Sequence, residues 1–252
     1  MKKPNILITN DDGIFSSGIF ALWEVVNPIS NVSVIAPKNQ QSAMSHALTL
    51  SKPLRVERIK RVNEFKGWSV SGTPTDCVKI GLKNLLELIP DLIISGINEG
   101  SNLGKNIFYS GTVSAAHEGV LNNIPSIAIS LNSFQSKNWE SAKAITLKII
   151  YYVLKNKLPK GAFLNVNIPN CKLDEIKGFK ITEQGNQYFN DTFKKRIDPR
   201  KSDYYWIDGK IIDEDKDLKF DGYALANNYV SITPLRYDIT NYSYINNLKE
   251  DF

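Results

Sequence analysis

Hydrophobic positions along the first half of the chain follow two alternating spacings. Short apolar runs rich in β-branched residues predict buried strands at residues 6–9, 32–36, 68–71, 91–97 and 126–131. Between these runs, apolar positions recur every three or four residues and predict helices at residues 19–26, 73–89, 112–122 and 139–154. Strands that alternate with helices in this way are typical of βαβ units. We therefore expect an α/β fold with a mostly parallel sheet flanked by helices.

The hydrophobic pattern weakens after Pro159. The elements expected there are strands at residues 164–168 and 179–182, a hairpin over 204–210 that turns at Asp208-Gly209, a late strand over 229–233 ended by Pro234, and a helical tail over 243–250. No repeat or linker interrupts the chain. We therefore expect one domain over residues 1–252, with a core of about 1–180 plus the late strand near 229–234, an extension at about 185–228 and a tail at 240–252.

The composition argues against several classes of protein. The longest apolar run has six residues, 149–154, far fewer than the roughly 20 that cross a bilayer, so we expect no membrane partner. The stretch after Met1-Lys2-Lys3 soon meets two aspartates, which predicts a cytoplasmic protein without an export signal. Cys77 and Cys171 form no metal-binding motif and exclude a disulfide scaffold. The net charge of +5 is spread along the chain, so no duplex nucleic acid partner is expected.

Polar residues fall where four of the predicted strands end. Asn10-Asp11-Asp12-Gly13 follows the first strand, and Ser42 lies in the loop after the second. Gly72-Thr73 follows the next strand, and Asn98 follows the strand at residues 91–97. The carboxyl ends of parallel strands share one edge of a sheet, where ligands bind in open α/β folds. We therefore expect these residues to converge.

The adjacent carboxylates of Asp11 and Asp12 point to a metal site. Like charges this close are costly unless a cation neutralises them. The Ser42 hydroxyl and the Asn98 amide oxygen complete a set of hard oxygen donors, which suits Mg²⁺ or Mn²⁺ better than Zn²⁺. Asn-Asp-Asp-Gly alone is more typical of a turn, but the other clusters at the same edge favour a metal. We predict one divalent cation, Mg²⁺ or Mn²⁺, per subunit.

Ser110-Gly111-Thr112 directly precedes a predicted helix and indicates a phosphate site. Backbone amides, two hydroxyls and the positive end of the helix would face one spot. The same residues also suit a plain helix cap, and neither GxGxxG nor GxxxxGK[ST] occurs, which weakens a dinucleotide-binding or P-loop assignment. His46 lies four positions beyond Ser42 and is expected at the mouth of the site. His117 is interpreted as a core or surface histidine.

Several motifs, in order along the chain, resemble the survival protein E (SurE) family. The resemblance is dense over residues 5–131 and patchy from there to about residue 240. The motifs that carry it include Ile8-Thr9-Asn10-Asp11-Asp12-Gly13, Ala36-Pro37 with Ser42 and Ser45, Ser71-Gly72-Thr73-Pro74-Thr75-Asp76-Cys77, Ser95-Gly96-Ile97-Asn98, Asn102-Leu103-Gly104 and Tyr109-Ser110-Gly111-Thr112-Val113. The chain departs from the family pattern at Ser16-Ser17, and at Gln40 and Gln41, where Asn and Arg are usual.

The resemblance implies a Rossmann-like fold with a C-terminal hairpin and helix extension that exchanges between subunits of a homodimer or homotetramer. It also implies a metal-dependent acid phosphatase acting on nucleoside 5′- and 3′-monophosphates, some members also trimming short polyphosphate. Carried over by motif, the metal ligands are Asp11, Asp12, Ser42 and Asn98, of which Asp11 and Asp12 are also catalytic. The expected phosphate or substrate contacts are Asn10, Gly13, His46, Asn102, Ser110, Gly111 and Thr112.

These observations predict a phosphomonoesterase, a 5′-nucleotidase that uses a cation-bound phosphate and metal-activated water. Asp11 is the candidate to accept the proton of that water or to position it. One alternative is a receiver-like phosphoacceptor, which also holds Mg²⁺ with an acidic pair but needs a third Asp where this chain has Asn98. The other alternative is a nucleotide-binding module without turnover, which a phosphate-release assay with and without chelator would distinguish.

Overall fold

The computed structural model describes residues 3–135 and 138–251. The strands are β1 (Asn5–Thr9), β2 (Asn31–Pro37), β3 (Val56–Lys60), β4 (Lys66–Val70), β5 (Leu92–Glu99), β6 (Ser126–Leu131), β7 (Ala162–Ile168), β8 (Phe179–Ile181), β9 (Tyr188–Ile197), β10 (Asp203–Ile212) and β11 (Val230–Arg236). The α-helices are α1 (Ser17–Val26), α2 (Pro74–Ile80), α3 (Gly111–Leu121), α4 (Trp139–Asn156), α5 (Asp221–Ala226) and α6 (Tyr242–Asp251).

The main sheet has the strand order β3-β4-β2-β1-β5-β6-β7-β11-β8. From β4 to β7 every neighbouring pair is parallel. Antiparallel pairing occurs where β3 meets β4 and where β11 meets β7. The predicted mostly parallel α/β fold is confirmed: α1 connects β1 to β2, α3 connects β5 to β6, and α4 connects β6 to β7, and each of these pairs is parallel.

Both faces of the central strands β1, β5 and β6 are buried, which explains why these strands are apolar at most positions. Ile6 and Ile8 belong to the core under α1 and α4, whereas Leu7 belongs to the core under α2. Helix α2 begins where the sequence predicts it. Thr73 and Asp76 form a reciprocal capping box, and Pro74 occupies the first helical position. This cap fixes where α2 begins at the carboxyl edge of the sheet.

Two expectations for the edge of the sheet differ from the structure. The helix predicted over residues 73–89 ends at Ile80 and continues only as one π-helical turn, Gly81–Leu85. Ile89 is exposed, so its apolar side chain does not extend the buried face. Strand β3 was not predicted, because an edge strand at the solvent boundary carries charged residues and lacks a clear apolar alternation.

The predicted turn at Asp208-Gly209 is wrong. Both residues lie inside β10, paired with Thr192 and Asp191 of β9, and the ribbon turns at residues 198–202 instead. There the Asp198 carboxylate accepts the amides of two residues of the turn. Gly209 is required for packing and not for a turn, because a Cβ at this position would lie 2.9 Å from the ring of Phe189.

Pro234 was expected to end the late strand. It lies instead inside β11, opposite Leu164 of β7. Strand β8 pairs only with residues 230–232 of β11. Pro234 therefore lies beyond the end of β8, where the outer side of β11 is an edge that tolerates a missing N–H.

Within residues 3–135 and 138–251, no helix has both the length and the apolar composition of a membrane span.

Candidate active site

The turn after β1 is built around Asn10, which is fully buried. Its side-chain amide donates to the Gly13 carbonyl at 3.0 Å and to the Ser16 hydroxyl at 2.8 Å. Gly13 has φ +95°, a conformation that favours glycine. Two of the residues predicted to contact substrate, Asn10 and Gly13, thus shape the turn that presents the next two aspartates.

Asp11 lies beside the first turn of α3, although the two are a hundred residues apart in sequence. The Thr112 hydroxyl donates to Asp11 Oδ1, and the carboxylate is only 6% exposed. Burial raises the pKa of the Asp11 carboxyl; hydrogen bonds from the Thr112 hydroxyl and from the amides of Asp11, Gly111 and Thr112 act in the opposite direction. The approach at Gly111 is close: a Cβ there would lie 2.9 Å from Asp11 Cβ.

The end of β5 brings Asp12 and Asn98 to the same edge. Asp12 Oδ2 accepts the backbone amide of Glu99 at 3.1 Å, which ties the turn after β1 to the residue that follows Asn98. The Asn98 side-chain amide donates to the Gly100 carbonyl at 2.6 Å. That bond fixes the orientation of the Asn98 side chain and uses its nitrogen, so its oxygen is the atom suited to ligate a cation.

Ser42 lies on an exposed loop that is anchored on both sides of the site. The amide of Gln41 donates to the carbonyl of Asp11 at 2.7 Å, and the amide of Ser45 donates to the carbonyl of Tyr109 at 3.0 Å. The Ser42 hydroxyl itself accepts a hydrogen bond from the Gln40 side chain at 2.9 Å. The loop is therefore held against Asp11 and against the segment that leads into α3.

Ser110, Gly111 and Thr112 are buried at the start of α3. The Ser110 hydroxyl caps the helix by accepting a hydrogen bond from the Val113 amide at 3.1 Å, so Ser110 acts as the plain helix cap that its sequence position also allows. The positive end of α3 nevertheless meets Asp11 directly. This arrangement favours a negative charge on the Asp11 carboxylate.

Asn102 belongs to a buried amide frame beneath the site rather than to its surface. Its backbone amide donates to Asn167 Oδ1 at 2.8 Å, and its side-chain amide donates to the Ser130 hydroxyl at 2.8 Å. Its carbonyl accepts from the side chains of Asn165 and Asn167. Sequence reasoning missed these two asparagines. The signal was available, because Asn165-Val166-Asn167 places polar residues in a strand that is otherwise apolar and buried.

His46 contacts α3 instead of the acidic turn. His46 Nε2 lies 3.0 Å from Glu118 Oε2, and its ring meets His117 edge-on at 4.9 Å between centroids. Lys79 completes this group at 3.1 Å from the other oxygen of Glu118. Within the part of the chain described, no hydrogen bond joins His46 to the Asp11 turn, so its predicted substrate contact stays a prediction.

The donor set fits a hard cation. Among the residues described, no group of three or more His, Cys, Asp or Glu is placed to hold a metal, which leaves two carboxylates with neutral oxygen donors. Mg²⁺ and Mn²⁺ accept such donors, whereas Zn²⁺ prefers nitrogen and sulfur. The hydrogen-bond donors to Asp11 are a hydroxyl and backbone amides, none of which carries a charge. A cation would thus supply the charge that this buried carboxylate lacks.

Comparison with known proteins finds a matching family and relatives of nearly the same length. The family described as "Survival protein SurE" matches residues 6–191. The "5′-nucleotidase SurE" of Thermosipho africanus is 44% identical over 248 residues, covering 98% of this chain and 97% of the relative. The protein of the same name from Syntrophobacter fumaroxidans is 42% identical over 243 residues, covering 96% and 97%. The crystal structure of Sure protein from Aquifex aeolicus superimposes with a TM-score of 0.84 at 41% identity, covering 98% of this chain and 99% of that one.

Proposed function

This chain belongs to the survival protein SurE family, and we propose that it is a 5′-nucleotidase that hydrolyses nucleoside 5′-monophosphates to nucleoside and phosphate, with 3′-monophosphates as further substrates. The names of its full-length relatives support a nucleotidase. The observation that carries the proposal is the buried Asp11 carboxylate beside the start of α3, next to Asp12, whose carboxylate accepts the Glu99 amide at the end of β5. A carboxylate pair and a helix N-terminus at one sheet edge suit the hydrolysis of a phosphate ester.

We propose that Asp11, Asp12, Ser42 and Asn98 hold one divalent cation, Mg²⁺ or Mn²⁺. The chemistry that such a cation supplies is neutralisation of phosphoryl charge and a lower pKa for the attacking water. Phosphoryl transfer depends mostly on positioning and on charge stabilisation, so no histidine base is required.

In this proposal Asp11 accepts the proton of the attacking water or orients that water. The Thr112 hydroxyl keeps the Asp11 carboxylate in one orientation. The positive end of α3, at Ser110 and Gly111, stabilises the negative charge of the phosphoryl oxygens. Each of these groups acts through its placement. The buried hydrogen bonds of Asn10 and Asn102 help to hold the surrounding backbone in place.

Asp11→Asn tests this assignment. The substitution keeps the size of the side chain but removes the charge and the proton acceptor, so we expect Mn²⁺-dependent release of phosphate from AMP or GMP to fall at least about 100-fold. Asp174→Asn, an exposed change away from the site, is the matched control and should keep full activity. Full activity of Asp11→Asn, or of protein stripped of metal with a chelator, would contradict the proposal.

We also propose that the β9–β10 ribbon mediates a homodimer or homotetramer in the cytoplasm. The ribbon forms its own two-stranded sheet, and its apolar side chains include the exposed Phe193, Trp206 and Ile207. An isolated two-stranded ribbon has marginal stability in water, so a second copy of the chain would cover this surface. Sedimentation analysis should give a dimer or tetramer, and a monomer at micromolar concentration would refute this part of the proposal.

A further inference from the structure

A cavity of about 590 Å³ lies at the amino-terminal edge of the sheet, at the other end of the strands from the Asp11 turn. Its walls are the first residues of β1 and β2, the β3–β4 ribbon and the segment 85–90 that follows α2. Sites for small molecules commonly have volumes of roughly 300–1,000 Å³. The cavity shares no lining residue with the candidate active site, so a ligand bound there would not compete directly with substrate.

Three cationic side chains of the β3–β4 ribbon line this cavity. Lys60 lies directly opposite Lys66 in the antiparallel register, and Arg58 lies two residues from Lys60 on the same face of β3. Like charges directly opposite each other destabilise a ribbon. Among the residues described, none of the three forms an ion pair, and Glu87 is the one acidic residue of the described lining. An anion in the cavity would offset this repulsion.

Trp68 adds an aromatic surface beside these charges. It is opposite Arg58 in the register, so its half-buried indole is on the same face of the ribbon as the cations. Leu85 and Leu86 pack in the same apolar cluster as Trp68 and also line the cavity. The ribbon wall of the cavity thus carries the indole beside the three cations, and Leu85 and Leu86 add apolar lining.

We propose that this cavity binds a planar aromatic anion, with its ring against Trp68 and its anionic groups at Arg58, Lys60 and Lys66. Nucleotides that carry several phosphates have this chemistry, because a base stacks on an aromatic side chain while phosphates pair with lysine and arginine. Charges on an edge strand also discourage pairing with another chain. That purpose does not require the charges to face a cavity beside an indole.

Calorimetric titration of the full chain with AMP-PNP, a non-hydrolysable ATP analogue, in the presence of EDTA tests the proposal. We expect saturable binding that the double variant Lys60→Gln/Lys66→Gln weakens at least about tenfold. The double variant Lys155→Gln/Lys160→Gln removes the same charge outside the cavity and should bind as the wild type does. Tripolyphosphate, which has the charge without the ring, should bind more weakly than AMP-PNP to the wild type.

Two further measurements locate the site. Trp68→Leu should bind AMP-PNP no better than tripolyphosphate, and if that variant does not fold, Lys66→Glu on the surface should abolish binding instead. Photocrosslinking with 8-azido-ATP should label peptides that contain residues 56–70 or 85–90. Absence of saturable binding, equal affinity of the Lys60→Gln/Lys66→Gln variant and the wild type, or labelling confined to the Asp11 turn would overturn the proposal. Because these readouts need no turnover, they decide it even for a chain that releases no phosphate from AMP.

Discussion

At the scale of single residues, Gly111 decides how closely α3 approaches Asp11. A Cβ at position 111 would lie 2.9 Å from Asp11 Cβ and 3.1 Å from Pro74 Cγ. Atoms of a folded protein do not come this close without displacement of one partner. The absence of a side chain at position 111 therefore lets the helix end touch the carboxylate.

Gly111→Ala should lower kcat/KM for AMP of the folded protein about 10- to 100-fold, because it displaces Asp11 from the start of α3. Gly119→Ala in the same helix is the control. Its Cβ would lie 2.2 Å from Ser126 Oγ in the core, so it should lower the free energy of unfolding by about 1–3 kcal/mol and leave kcat/KM of the folded protein nearly unchanged. The two variants exchanging these phenotypes would argue against the role given to Gly111.

Glu118 gives a prediction for the dependence of stability on pH. Burial raises the pKa of its carboxyl, but hydrogen bonds from His46, Lys79 and Asn122 outweigh burial, so the pKa in the folded state is below its usual value. A carboxyl of this kind stabilises the fold above its unfolded pKa of about 4.3, and that stabilisation is lost as the pH falls through the folded pKa.

We therefore expect Glu118→Gln to lower the free energy of unfolding by about 1–3 kcal/mol at pH 7. The difference from the wild type should shrink as the pH falls below about 4. Thermal or urea unfolding from pH 7 to pH 3.5 measures this. Glu140→Gln, at an exposed side chain, should track the wild type throughout, and a difference for Glu118→Gln that stays constant with pH would show that its charge is not the cause.

At the scale of elements, burial decides what the sequence could predict. Strands β1, β5 and β6 were expected within two residues of their ends, because both of their faces are covered and most of their positions are apolar. In the β9–β10 ribbon apolar residues are exposed, so periodicity carries no information about a core. There the Asp-Gly pair suggested a turn, and the register of β9 with β10 overrode it.

The observed turn of the ribbon leads to a test. Asp198→Ala removes the acceptor of the Arg200 and Ser202 amides and should cost the ribbon about 1 kcal/mol. We expect faster proteolysis and faster amide exchange at residues 198–202. Asp208→Ala removes an exposed ion pair with Lys194 and should have little effect. If Asp208→Ala increased proteolysis and amide exchange of the ribbon more than Asp198→Ala does, the turn would lie at Asp208-Gly209.

At the scale of the whole molecule, the C-terminal extension holds the segment that leads into α3. The buried Asp221 carboxylate accepts the amides of Gly104 at 2.9 Å, Gly185 at 3.0 Å and Gly222 at 2.8 Å. The Lys105 amide donates to the Gln187 carbonyl at 2.7 Å. The convergence of polar groups at one sheet edge could be predicted, because the carboxyl ends of parallel strands lie at the same edge. This brace could not, because no local pattern links positions so far apart in the chain.

Asp221→Asn should therefore impair the active site from a distance. An amide has one acceptor oxygen where the carboxylate has two, so at least one of the three amides loses its partner. We expect kcat/KM for AMP to fall about tenfold, faster amide exchange at residues 104–109, and an unchanged far-UV spectrum. Asp217→Asn, on the exposed part of the same extension, should behave as the wild type. Unaltered exchange at residues 104–109 would exclude the brace.

The amide frame of Asn102, Asn165 and Asn167 has a consequence for ionic strength. Its hydrogen bonds join neutral groups that are buried, and dissolved salt screens only charges. Raising the salt concentration should therefore leave the scaffold under the catalytic edge intact while weakening the attraction between a cationic protein and an anionic substrate. Salt inhibition of this enzyme should accordingly appear in KM and leave kcat unchanged.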